Sequence, residues 1–115
     1  MNVSFNGVGQ VCATFLGEKL AEGHVVKLTG NGTVGECAAG DAFCGVTTHC
    51  CGDACTVQVC GFATVRYSGS APTVGWSALL ADGSGGVKAA GTGETGRQMP
   101  VVDVDTTGKT VTILL

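Results

Sequence analysis

Four residues near the middle of the chain combine side chains that bind metals or form disulfides: His49, Cys50, Cys51 and Cys55. Structural zinc takes thiolate and imidazole ligands, which usually occur as pairs two to four residues apart. Cys51 and Cys55 fit that spacing, with Cys44 as a further candidate ligand, but the sequence offers no second matching pair. Cys50 and Cys51 are adjacent, so they point to opposite faces if the segment is a strand. We therefore expect no metal site.

The chain contains seven cysteines, and an odd number excludes a complete set of intramolecular disulfides. The N-terminal residues lack the charged and apolar regions of a secretory signal, so we expect mainly reduced thiols. Three cysteines lie in apolar runs, where the residue packs as a small hydrophobe: Cys44, Cys55 and Cys60. The best local disulfide candidate joins Cys50 or Cys51 to Cys55 across the turn at residues 52–53. Of these two, the pair Cys51 with Cys55 is our prediction.

The positions of the histidines do not favour nucleophilic catalysis. A serine or cysteine nucleophile needs a neighbouring base, most often histidine, and the chain has only His24 and His49. His49 is next to Cys50, but neighbours on a strand point apart. His24 has Trp76 at the matching place in a second, similar segment, which indicates packing or surface contact.

Acidic and glycine-rich segments give no catalytic pattern either. Asp103 and Asp105 alternate with valines, which is typical of a solvated strand face, with cation binding as the less favoured alternative. The glycine-rich stretch at residues 83–86 is followed by a strand pattern, whereas a phosphate-binding loop is followed by a helix. We expect the protein not to be an enzyme, with no catalytic residues and no cofactor.

The elements that carry these residues follow an order that occurs twice. Residues 23–67 contain an apolar run, a Gly-Asn-Gly turn, a short run ending in Cys-Ala-Ala-Gly, a second apolar run, a glycine turn and an alternating strand. Residues 75–115 repeat that order. Internal similarity of this kind fixes how a fold is built. Residues 1–16 are expected to form an N-terminal arm or strand, and residues 68–74 a connector.

The pattern between the turns predicts the fold class. The chain has 20 glycines and two prolines, and the glycines separate short runs rich in valine, threonine and alanine. Alternation such as Thr56-Val57-Gln58-Val59 places one side of a strand on a core. We predict one all-β domain over residues 1–115, a small antiparallel barrel or sandwich built from two pseudo-repeated β units.

The amino-acid composition limits the classes of partner that the protein could bind. Charged residues make up 13% of the chain, against about 25% in typical soluble domains. The net charge is −3 and no basic stripe is present, which argues against nucleic acid. The longest apolar stretches are well short of the roughly 20 residues of a membrane helix, so we expect no membrane association. Much of the surface must be neutral, which favours permanent association with another protein.

Six short motifs occur in a fixed order along the chain: Gly23-His24-Val25-Val26-Lys27, Cys44-Gly45-Val46, residues 56–65, Gly75-Trp76, Gly86-Val87-Lys88 and Thr110-Val111-Thr112-Ile113-Leu114. In this order and spacing, the sequence resembles the capsid decoration (cement) proteins of tailed bacteriophages, which are small β-rich head proteins. The resemblance covers about residues 20–115. The seven cysteines and the opening 16 residues depart from the family pattern.

The resemblance implies a structural virion protein that binds the outer surface of a phage capsid and stabilises the shell. Its partner would be the major capsid protein, and it would form a homo-oligomer, preferably a trimer. It would be made in the host bacterial cytoplasm and be located on the virion. We expect the capsid or subunit contacts to include Val3 and Phe5 in the N-terminal segment, and His49 and Trp76, where the two units differ. The alternatives are a non-viral β-barrel binding module and, less favoured, a cysteine-based metal-binding protein.

Overall fold

The computed structural model describes residues 9–17, 20–91 and 93–115, and every regular element within them is a β-strand. The strands are β1 (Val11–Leu16), β2 (Val25–Gly30), β3 (Thr33–Glu36), β4 (Gly45–Cys51), β5 (Ala54–Cys60), β6 (Phe62–Arg66), β7 (Gly75–Ala81), β8 (Val87–Ala89), β9 (Arg97–Asp105) and β10 (Thr110–Leu114). The all-β prediction is confirmed.

The ten strands form two sheets with the same internal plan. The first five close into a barrel in the order β1-β3-β2-β4-β5, and the other five form a sheet in the order β6-β10-β9-β7-β8. In both units the first strand pairs antiparallel with the fifth. It also meets the third strand in parallel, at Leu16 and Thr33 in the barrel and at a single bridge between Tyr67 and Val87 in the second sheet. Each structural unit therefore has five strands.

This topology places the boundary between the units at Gly61, between β5 and β6. The sequence pattern instead assigns residues 62–67 to the first unit and leaves β1 outside the repeat. The difference arises because alternation identifies a strand without identifying its partner. β1 pairs with β5, which lies at the other end of the first unit in the sequence. No local sequence pattern specifies a pairing between strands so far apart along the chain.

Buried side chains form two clusters. The shared core joins residues of both units: Val25, Cys37, Phe43, Val46, Ala63, Val65, Tyr67, Leu79, Ala81, Val87, Met99, Val101, Val111 and Ile113. The barrel core is smaller: Val26, Val34, Cys55 and Val57. Val25 and Val26 are neighbours on β2 and enter different clusters, because successive strand residues point to opposite faces. Thus β2 contributes to both cores.

A loop of the first unit attaches the barrel to the second sheet. Gly40 N donates to Ala81 O at 2.9 Å, and Ala81 N donates to Asp41 O at 2.9 Å. The same loop is held to β2 by Lys27, whose Nζ lies 2.6 Å from Asp41 Oδ2. The hydrogen bond with Lys27 lowers the pKa of Asp41. Phe43, at the end of this loop, packs in the shared core.

Cys50 and Cys55 form a disulfide, so the predicted pairing of Cys51 with Cys55 is wrong. Cys50 and Cys55 face each other in the β4–β5 register, with 4.1 Å between their Cα atoms. Cys51 pairs in register with Ala54 and is an exposed free thiol. Only one of two adjacent residues can face the buried Cys55, because their side chains alternate across the strand.

Candidate contact surface

Trp76 is the most exposed large apolar side chain in the described part of the chain. It is 74% exposed, and Val74, just before β7, is 61% exposed. Single exposed apolar residues are common on soluble proteins. Two large ones close together, including a tryptophan, are more typical of an interaction site.

The register of the second sheet explains why Trp76 faces outward. Trp76 lies opposite Pro100 on β9. The flanking β9 residues Met99 and Val101 belong to the shared core. Because strand residues alternate between faces, Pro100 and Trp76 lie on the opposite, outer face. We refer to Val74, Trp76 and Pro100 as the contact surface.

Sequence analysis identified one member of the contact surface. Trp76 was predicted as a contact because it replaces a histidine at the matching place of the first unit. Val74 had only a weak signal, an apolar residue in a polar connector. Pro100 had none, because its position opposite Trp76 depends on the pairing of β7 with β9.

His49 lies elsewhere, on β4 of the barrel, and not with Trp76 in the second sheet. Its side chain is exposed, and its Nδ1 lies 3.1 Å from Glu22 Oε2. The two predicted contact residues are therefore in different units. The other two, Val3 and Phe5, lie outside the described residues.

Two of the free cysteines, Cys37 and Cys44, are at least partly buried. Among the residues that the structure describes, no three His, Cys, Asp or Glu side chains are placed to hold a metal ion. Burial, followed by the charge of Asp41, raises the pKa of Cys37 to about 11. Burial also raises the pKa of Cys44. Both thiols are thus protonated at neutral pH, and a protonated thiol is a poor nucleophile and metal ligand.

Two aspartates bind the backbone of their own turns. Asp82 Oδ1 accepts hydrogen bonds from Ser84 N at 2.7 Å and Gly86 N at 3.0 Å. Two amides of the glycine-rich stretch therefore have a carboxylate of the same loop as their hydrogen-bond partner. Asp105 Oδ1 similarly accepts hydrogen bonds from the amides of residues 107 and 108, at 3.0 and 3.1 Å. Side chain to backbone bonds of this kind are a common way to stabilise turns.

Comparisons with known proteins leave the chain without a family assignment. No protein-family model matches it, and no curated protein matches it significantly. Among the described residues, no helix is long and apolar enough to cross a membrane.

Proposed function

We propose that this chain is a structural virion protein that binds the outer surface of a phage capsid and stabilises the shell. The partner is the major capsid protein, and the protein acts as a homo-oligomer, preferably a trimer, on the outside of the virion. It is made in the cytoplasm of the host bacterium. The order and spacing of the sequence motifs support this proposal, since they resemble those of decoration proteins.

The observation that carries the proposal furthest is the contact surface. Trp76 places a largely exposed indole on the outer face of the second sheet, opposite the core, and the exposed Val74 lies two residues before it in the chain. Tryptophan is enriched among the residues that dominate binding energy at protein interfaces. A protein that binds a shell in many copies needs only modest affinity per site, because repeated contacts add up.

Co-sedimentation with empty capsids of the phage that encodes the chain tests the proposal. We expect the wild-type protein to sediment with capsids at a fixed number of copies per shell. Trp76→Ser should weaken binding at least tenfold, because removing a central interface tryptophan typically costs about 2 kcal/mol or more. Sedimentation of the free protein gives its oligomeric state in the same experiment.

Leu28→Ser is the matched control. Leu28 is 59% exposed but lies on β2 of the barrel, away from the contact surface. It should leave capsid binding unchanged. If wild-type protein does not sediment with capsids, the capsid role is wrong and the β-barrel binding module is favoured. If Leu28→Ser and Trp76→Ser lose binding equally, the contact surface is misplaced.

A further inference from the structure

The turn between β2 and β3 carries an asparagine followed by a glycine. Asn31 and Gly32 connect the two strands, and both residues are exposed. Gly32 has a φ of 61°, a left-handed conformation that glycine adopts without strain. Apart from Gly32 and its two chain neighbours, no described residue would place an atom within 4 Å of a Cβ at Gly32. There is therefore room beside this peptide bond for the side chain of Asn31 to fold back onto it.

An asparagine in this setting reacts with the backbone that follows it. The nitrogen of Gly32, after losing its proton, bonds to Asn31 Cγ, and the bond from Cγ to Nδ2 breaks, so that ammonia leaves. The product is a five-membered succinimide. Water then opens the ring: breaking the bond from Cγ to the Gly32 nitrogen gives aspartate, and breaking the bond from the Asn31 carbonyl carbon gives isoaspartate. In isoaspartate the main chain runs through Cβ and Cγ and is one carbon longer.

The same turn closes the barrel. Within the described residues, β1 and β3 pair at one position, Leu16 with Thr33. Leu16 N donates to Gly32 O at 2.9 Å at this position. On the other side of β1, Gly17 N donates to Asp53 O at 2.8 Å. The carbonyl that follows Asn31 is therefore the acceptor at the closure, and the next amide of the chain bonds to the opposite neighbour.

We propose that Asn31 is a deamidation site and that its conversion to isoaspartate opens the barrel between β1 and β3. The added carbon lies directly before Gly32, so it displaces Gly32 O from Leu16 N. Conversion to ordinary aspartate adds the same negative charge but leaves the length of the backbone unchanged, so the closure is kept. The site does not depend on the proposed capsid role.

The opening is confined to the contact between β1 and β3. The ladder between β2 and β3 continues past the turn, with Leu28 opposite Val34 and Lys27 opposite Gly35. These pairs hold the hairpin together after the turn has changed. The pairing of β1 with β5 is a separate ladder that runs along the other side of β1. Isoaspartate at position 31 therefore changes how the barrel closes without unfolding it.

Peptide mapping of the aged protein tests the reaction. Asn6 is also followed by glycine, so all proteins carry Asn6→Gln. After incubation of the folded protein at mildly alkaline pH, mass spectrometry should find isoaspartate as the main product at position 31. Asn31→Gln should give none, because its longer side chain would have to close a six-membered ring, which forms far more slowly. The proposal would be overturned if Asn31 stayed an amide in the folded protein over a time that converts most of the urea-unfolded protein.

Amide hydrogen exchange tests the structural effect. The isoaspartate form is separated from the unmodified protein by chromatography. In this form the amide of Leu16 should exchange about five- to tenfold faster, which corresponds to the loss of one backbone hydrogen bond. The amide of Gly17 is the internal control, because it bonds to Asp53 and should keep its rate.

Asn31→Asp is the matched control variant, since it carries the added charge on a backbone of normal length. Its Leu16 amide should exchange at the rate of the unmodified protein. Equal Leu16 rates in the isoaspartate form and in Asn31→Asp would contradict the proposal. Equal acceleration of the Leu16 and Gly17 amides would show general loosening of β1 and would contradict it as well.

Discussion

At the scale of single residues, the main chemical feature is how the seven thiols are divided. Two form the Cys50–Cys55 disulfide, Cys37 is buried and Cys44 is half-buried, and burial raises the pKa of both of these free thiols. Three are exposed: Cys12, Cys51 and Cys60. This division leaves Cys51, the residue beside the disulfide, free on the opposite face of β4.

Removing the disulfide should destabilise the fold. The Cys50–Cys55 bond closes a loop of only six residues, so the chain-entropy model gives a loss of about 2 kcal/mol in the free energy of unfolding for Cys50→Ala. Denaturant unfolding without reductant measures this loss. Cys51→Ala should change stability by less than about 0.5 kcal/mol, as expected for an exposed site.

The thiol count gives an independent check of the same pairing. Unfolded wild-type protein kept free of reductant should titrate five of its seven cysteines. Seven reactive thiols, or equal destabilisation by Cys50→Ala and Cys51→Ala, would contradict the disulfide.

At the scale of elements, the sequence allowed the strands to be predicted better than their partners. Glycine turns and alternation mark the runs that become β5 and β10, because a half-buried strand has a period of two. The register of β4 against β5 decides whether Cys50 or Cys51 lies opposite Cys55. The residues of the turn at 52–53 do not specify that register. The pairing of β1 with β5, and hence the true unit boundary, depends on contacts distant in sequence.

The same limit applies to the contact surface. Comparison of the two sequence repeats identified Trp76, because a difference between the repeats can be seen without knowing how the strands pair. Its outward orientation and its neighbour Pro100 follow only from the β7–β9 register. His49, found by the same comparison, lies in the other unit and contacts Glu22.

The close contact between β4 and β5 at Gly45 gives an element-scale prediction. A Cβ at Gly45 would collide with Gln58 O and would lie 2.7 Å from Val57 Cγ1. Gly45→Ala should therefore push β4 away from β5 and lower the free energy of unfolding by about 1–3 kcal/mol, the usual cost of overpacking. Chemical denaturation measures the change.

Gly30→Ala is the control for this substitution. The nearest atom to a Cβ at Gly30 is Thr33 Cβ at 3.9 Å, an ordinary contact, and the backbone there is not left-handed. We expect Gly30→Ala to be neutral or slightly stabilising, because alanine reduces the freedom of the unfolded chain. Equal losses for the two variants would show that the crowding at Gly45 is not the cause.

At the scale of the whole molecule, the two units are coupled by side chains of the first unit that enter the core of the second. Phe43 is 4% exposed and lies in the shared core, at the end of the loop that bonds to Ala81. The barrel core touches Cys44, whereas Cys37 belongs to the shared core. The reactivity of Cys37 therefore reports on the shared core, and the reactivity of Cys44 reports on the barrel core. Since β2 contributes to both clusters, we expect the barrel and the second sheet to unfold together.

Phe43→Ala tests this coupling. The substitution empties a buried aromatic site, so the free energy of unfolding should fall by about 3–5 kcal/mol. With the three exposed thiols blocked beforehand, alkylation of Cys37 and Cys44 is followed against denaturant by mass spectrometry of their peptides. Both thiols should become reactive at the same midpoint of denaturant in the wild type, and at one common, lower midpoint in Phe43→Ala.

Phe15→Ala is the control, because it removes an aromatic side chain that packs against the barrel core. It should also shift both midpoints together. A variant in which Cys37 reacts while Cys44 stays protected would show that the two units unfold independently, and the shared core would then not be the source of cooperativity.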